Sequence, residues 1–192
     1  MKKQVLIGLG CSLGFSLGLA LTNISQAWAV QPSPVDQHAD IAWSKVVDNP
    51  FDGRVVYDKN YTDDFAFVSV WSKQGIRATY TRYWKVVDGY KPVWRTRRVY
   101  SHHEGKYVDR EYQDREPVYR QLSEDIAPKE IMFAIRGQVY RYEDGIVDPS
   151  LANALTTAPS GNMTIRIVFP NGKTLETEIG SDTVEAWKTI FK

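Results

Sequence analysis

Residues 76–112 read IRATYTRYWKVVDGYKPVWRTRRVYSHHEGKYVDREY, a stretch dense in β-branched and aromatic side chains and interrupted by two clusters of turn-forming residues. Such side chains pack well on a pleated surface, so the stretch predicts strands. Asp88-Gly89 reads as a two-residue type I′ turn, since both residue types tolerate positive φ. His102-His103-Glu104-Gly105 reads as the next closure. Three strands, 76–87, 91–100 and 106–112, then lie between these turns.

Working outward, 55–57 and 65–71 have the same composition, and Ser72-Lys73-Gln74-Gly75 closes a hairpin into 76–87. Four consecutive strands from 65 to 112 make an antiparallel meander. Further along, 131–135 and 139–142 flank Gly137-Gln138, while 163–169 and 174–179 flank Asn171-Gly172. Helical signals are few. Asp148-Pro149 supplies an N-cap and a proline at the first helical position, which predicts a short helix over 149–156. Asp182 and Glu185 are spaced as a capping box, with Val184, Trp187, Ile190 and Phe191 on one face of a helix near 183–191. Residues 35–47 could form a further helix, although 43–47 also suits a strand. The fold class expected is mainly β: an antiparallel meander forming a curved sheet, small sandwich or partly open barrel, with those two helices.

The first 29 residues read as a cleaved signal peptide. Lys2 and Lys3 form a basic start, 5–21 is apolar, and Ala27-Trp28-Ala29 offers small residues for cleavage after Ala29. A retained membrane anchor, or a lipid on Cys11, is the alternative. Residues 30–36 contain Gln31-Pro32-Ser33-Pro34, an extended linker, and 37–192 form one mainly-β domain. The location expected is exported: periplasmic, extracellular or another extracytoplasmic lumen. Removing the leader takes away the sole cysteine, so the remaining chain has no thiol nucleophile, disulfide or Cys-ligated metal. Asn23, Asn60 and Asn162 carry Asn-x-Ser/Thr matches, which matter only in a glycosylating host.

Chemistry of the catalytic kind finds little support. His102 and His103 are adjacent, so on an extended segment they point to opposite sides and share no ligand face. The only other histidine is His38. Beyond residue 29, Gly-x-Ser-x-Gly and Gly-rich phosphate loops are absent; the two Gly-x-Ser-x-Gly matches, Gly10–Gly14 and Gly14–Gly18, lie within the apolar run of the expected leader. Asp109, Glu111, Asp114 and Glu116 alternate with Arg110 and Arg115, which suits a solvated, ion-paired strand better than a pair of catalytic carboxylates across a cleft. No catalytic residue, metal ligand or cofactor is expected. A hydrolase built on the His pair and the acidic strand is the rival reading.

Charge distribution is the strongest departure from randomness. The whole chain is nearly balanced, with 24 Lys plus Arg against 23 Asp plus Glu. Yet from Arg77 to Arg110 nine basic residues stand against three acidic ones, and both flanks are acidic. A turn at Asp88-Gly89 would place Arg82 opposite Arg95 and Tyr80 opposite Arg97. Two arginines facing each other call for an anion or carboxylate between them. The alternative sets acidic neighbours against the basic strands, with Arg98 opposite Asp109 across a four-residue loop. The sequence therefore points to an exported, non-catalytic binding or scaffolding domain. Its expected ligand-binding residues are Tyr80, Arg82, Arg95 and Arg97, and its expected partner is an anionic ligand or acidic protein surface. Nucleic acid is not expected, and a membrane only through an uncleaved leader.

Overall fold

The computed structural model describes residues 29–192, so the segment expected to be a leader, apart from Ala29, lies outside the described residues. Nine strands form two antiparallel sheets. The first has the order β1 (Val46–Asn49), β2 (Gly53–Tyr61), β3 (Phe65–Ser72), β4 (Gly75–Ser101) and β5 (Lys106–Ile126). In the second, β7 (Gln138–Tyr142), β6 (Glu130–Ile135), β8 (Met163–Val168) and β9 (Thr174–Ile179) follow one another across the sheet. Helix α1 (Pro149–Thr156) connects β7 to β8, and α2 (Ser181–Ile190) follows β9. The mainly-β expectation with two short helices holds.

Alternation decides which side chains are inward. In β8, Met163, Ile165 and Ile167 are buried while Thr164 and Arg166 face solvent, as the period of two requires. Val56, Phe67, Trp71 and Ile76 of the first sheet meet Ile131, Phe133 and Ile165 of the second in one apolar cluster. α2 covers this cluster with Val184, Trp187 and Ile190. Trp187 lies 4.7 Å from Trp71, centroid to centroid, and Trp71 meets Phe133 edge-on at 5.9 Å. Tyr142 ties the sheets together: its hydroxyl accepts from Ile76 N at 2.9 Å and donates to Gly145 O at 2.7 Å. That approach leaves no room for a side chain at Gly75, where a Cβ would meet Gly145 O at 2.7 Å.

Val30 is fully buried, and its N–H donates to Pro128 O at 2.9 Å. The next residue, Gln31, bridges Arg77 in parallel. Residues 35–45 form neither a helix nor a regular strand, and β1 begins only at Val46. No helix among the described residues is long and apolar enough to cross a membrane.

Local expectations are corrected at three places. Asp88-Gly89 does not turn the chain: β4 runs unbroken for 27 residues, and the ladder shifts register there by one residue, a bulge. Gly89 takes φ 152° while Asp88 is not among the residues with positive φ, so the type I′ condition at both positions is not met. Charge explains the preference. A turn at Asp88-Gly89 would oppose Arg82 to Arg95, whereas pairing with β5 sets Arg82 against Glu124. The β6–β7 turn uses Arg136-Gly137, with φ 50° and 80°, one residue earlier than read. Finally, the capping box of α2 does not form: Gly180 is the N-cap without a side-chain bond, and Glu185 pairs with Lys188 at 2.8 Å. Asp148, by contrast, caps α1 as expected, accepting from Ser150 N at 2.7 Å.

Candidate functional site

β4 and β5 leave the rest of the protein together. From the Val86–Arg120 pair to the Ser101–Lys106 pair, β4 and β5 form a two-stranded ribbon closed by residues 102–105. At about 3.3 Å per residue it is roughly 50 Å long. The side-chain hydrogen bonds, ion pairs and aromatic contacts of residues 86–120 all join one ribbon residue to another. Both long edges of this ribbon are unpaired. An isolated two-stranded ribbon is marginal by itself in water, and bare edges are templates for further pairing.

The pleat sorts its side chains into two faces. One carries Val87 and Tyr119, Tyr90 and Pro117, Trp94, and Tyr100 beside Tyr107. Trp94 is 71% exposed, Tyr107 66%, Tyr90 64% and Tyr119 58%. On the opposite face Arg95 pairs across to Tyr112, and Arg97 to Arg110. Arg95 Nε contacts Asp114 Oδ2 at 3.0 Å, and the Arg97 guanidinium lies 5.5 Å from the Tyr112 ring centre. Neither Arg97 nor Arg110 has an ion-pair partner among the described residues. Of the three guanidinium groups around Tyr112, Arg95 alone meets a carboxylate.

The expected ligand residues are only partly brought together. Arg95 and Arg97 belong to this cluster. Arg82 does not: it faces Glu124, with which it forms a 3.0 Å ion pair, and lies over Trp84 at 4.9 Å. Thirteen residues of extended chain, about 40 Å, separate Arg82 from Arg95, so the two cannot grip one anion. Tyr80 pairs with Phe67 and Ile126, not Arg97, and packs between Phe65 at 5.7 Å and Phe169 at 5.0 Å. Desolvation there pushes its phenol above the ordinary value, against the opposing effect of Arg82. The arginine pair expected at 82 and 95 is found at 97 and 110. Arg110 was missed, although the signal was present: once Arg98 faces Asp109 across a four-residue loop, ladder continuity sets Arg97 against Arg110.

The remaining candidates lie elsewhere. His102 and His103 are exposed at the ribbon tip, where His102 meets Tyr100 edge-on at 5.1 Å. Asp109, Asp114 and Glu116 are engaged by Arg98 at 3.4 Å, Arg95 at 3.0 Å and Lys91 at 3.2 Å. Among the described residues no three His, Asp or Glu side chains converge as a metal site. At the ribbon root, Lys59, Tyr61, Tyr83 and Lys85 line an open groove of about 490 Å³. Lys59 is already engaged there, donating to Gln37 O at 2.9 Å and lying 4.5 Å above Trp43.

One buried acid is perturbed. Asp58, 2% exposed, accepts from the Thr183 hydroxyl at 2.6 Å and from the Gly180 N–H, while its Oδ2 has no partner among the described residues. Ser44 Oγ lies 3.1 Å from the Thr183 hydroxyl. Desolvation raises the Asp58 carboxyl above its ordinary value, and these donors only partly oppose it. The group joins β2 to the first turn of α2. No base stands beside it, and its role is to hold the helix.

Comparisons with protein-family models, with curated proteins and with solved structures find no match for this chain.

Proposed function

We propose that the protein is an exported, non-catalytic binding or scaffolding domain that engages a carboxylate-bearing partner through the β4–β5 ribbon. One observation carries the reading: a ribbon roughly 50 Å long contacts only itself, exposes a row of aromatic rings and opposes Arg97 to Arg110 without a counter-charge. Exposed apolar surface on this scale marks interaction sites. Residues 84–122 carry nine basic and six acidic side chains, so an excess of positive charge remains after the internal pairs are made. Export rests on the reading of residues 1–29 as a leader.

Immobilised poly-L-glutamate tests the reading, with poly-L-lysine as the control surface. Retention of the protein on polyglutamate, at least tenfold weakened by Arg97→Gln combined with Arg110→Gln, is the expected result. Wild-type protein that passes through both surfaces alike overturns it.

A further inference from the structure

We propose that the carboxylate-bearing partner is a second copy of this chain, whose β5 edge pairs antiparallel with β5 about Tyr112. The inference rests on the reading of the ribbon as the interaction element and names what it binds.

β5 contains an internal repeat. Asp109-Arg110-Glu111 recurs as Asp114-Arg115-Glu116, five residues on. Five is odd, so the pleat puts Arg110 on the face of Asp114, and Asp109 on the face of Arg115. Two identical antiparallel edges related by a two-fold axis must meet about a residue, not between residues, because opposed side chains share a face. Centring on Tyr112 places Arg110 opposite the second copy's Asp114, and Asp109 opposite the second copy's Arg115. Symmetry doubles both, giving four pairs of opposite charge within residues 109–115. Moving the centre to Tyr107, Asp109 or Glu111 loses these oppositions. Centring on Gln113 sets the triplets against each other in another way, but it opposes Lys106 to Arg120, which is unfavourable.

The residues that gain are those left unpaired within the ribbon. Arg110 and Arg115 have no ion-pair partner among the described residues, whereas Asp109 and Asp114 are each held by one arginine of β4. In the paired form Asp114 lies between Arg95 of its own ribbon and Arg110 of the other, and Arg97 stands beside it. The like-charge opposition of Arg97 and Arg110 thereby acquires a carboxylate.

Pro117 limits the extent of pairing. A proline within a ladder must direct its missing N–H away from its partner strand, which here means toward the free edge of β5. Edge pairing therefore weakens at Pro117 of each copy, which faces Tyr107 of the other, leaving 108–116 as the segment between the two. In this register the tip loop at 102–105 of each copy comes alongside residues 119–122 of the other, at the root of its ribbon.

Sedimentation equilibrium of the full exported protein tests the proposal. Wild type should dimerise, with dimerisation weakened at least tenfold by Arg110→Glu or by Arg115→Glu; neither change removes an internal ion pair. An equimolar mixture of Arg110→Glu and Asp114→Lys should form heterodimers, because opposite charges then meet on both sides of the axis, reversed on one and unchanged on the other. Circular dichroism of each variant keeps a folding defect distinct from a lost contact. A monomeric wild type overturns self-pairing, as does a dimer indifferent to both reversals. If the monomer still binds polyglutamate, only this inference fails; if it binds neither, the reading of the ribbon fails with it.

Discussion

Asp58 shows how one buried side chain can set a pH dependence for the whole fold. Its carboxyl is raised above 3.8 by desolvation, so the native state holds the proton more firmly than the unfolded chain does. The sign follows: its contribution is fully present below the unfolded value and is lost as pH rises through the native one. Asp148 and Glu185 act in the opposite sense, since hydrogen bonds from Ser150 and Lys188 lower them. Asp58→Asn keeps an acceptor for Thr183 and removes the titration. Urea midpoints between pH 4 and 8 should fall less steeply for the variant than for wild type. Parallel curves would show that Asp58 is not the source of the slope.

Among the elements, α2 is the clearest case of a stabilising contact that can be measured. Trp187 is fully buried against Trp71, and its Nε1 has no partner among the described residues. Trp187→Ala should cost about 3 to 5 kcal/mol, the range for emptying an aromatic core site. A loss below about 1 kcal/mol in chemical denaturation would make the helix peripheral. This helix, α1 and the β8–β9 hairpin were legible because each rests on local signals: an apolar stripe, an N-cap, and an Asn-Gly turn between alternating strands. The ribbon was not, because its defining choice is non-local. Asp-Gly suits a turn and a bulge alike, and the residue that replaces Arg95 opposite Arg82 is Glu124, 35 residues beyond Gly89. The same limit governed the site. Arg95 and Arg97 were legible as unusual charge, but their neighbours depended on which strand lay opposite, and Arg82 and Tyr80 were assigned to the wrong one.

At the scale of the molecule, a packed body and a ribbon of similar reach share one continuous strand. The body holds nearly all of the buried apolar residues, while the ribbon relies on cross-strand pairs each worth about 0.2 to 1 kcal/mol. The two parts join at the bulge, where Val87 faces Tyr119 and Gly89 faces Val118, leaving Asp88 unopposed. That single surplus residue acts as a steering point. Deleting Asp88 would join the two halves of the ladder without changing a partner on either side, at the loss of its 3.3 Å ion pair with Arg120. The extra local twist of the bulge would go with it. Small-angle scattering should then show the arm leaving the body in a different direction while circular dichroism stays constant; an unchanged scattering profile would mean that the bulge sets no angle. One codon would thus separate what the arm binds from where it points, allowing a lineage to re-aim its reach without rebuilding its contacts.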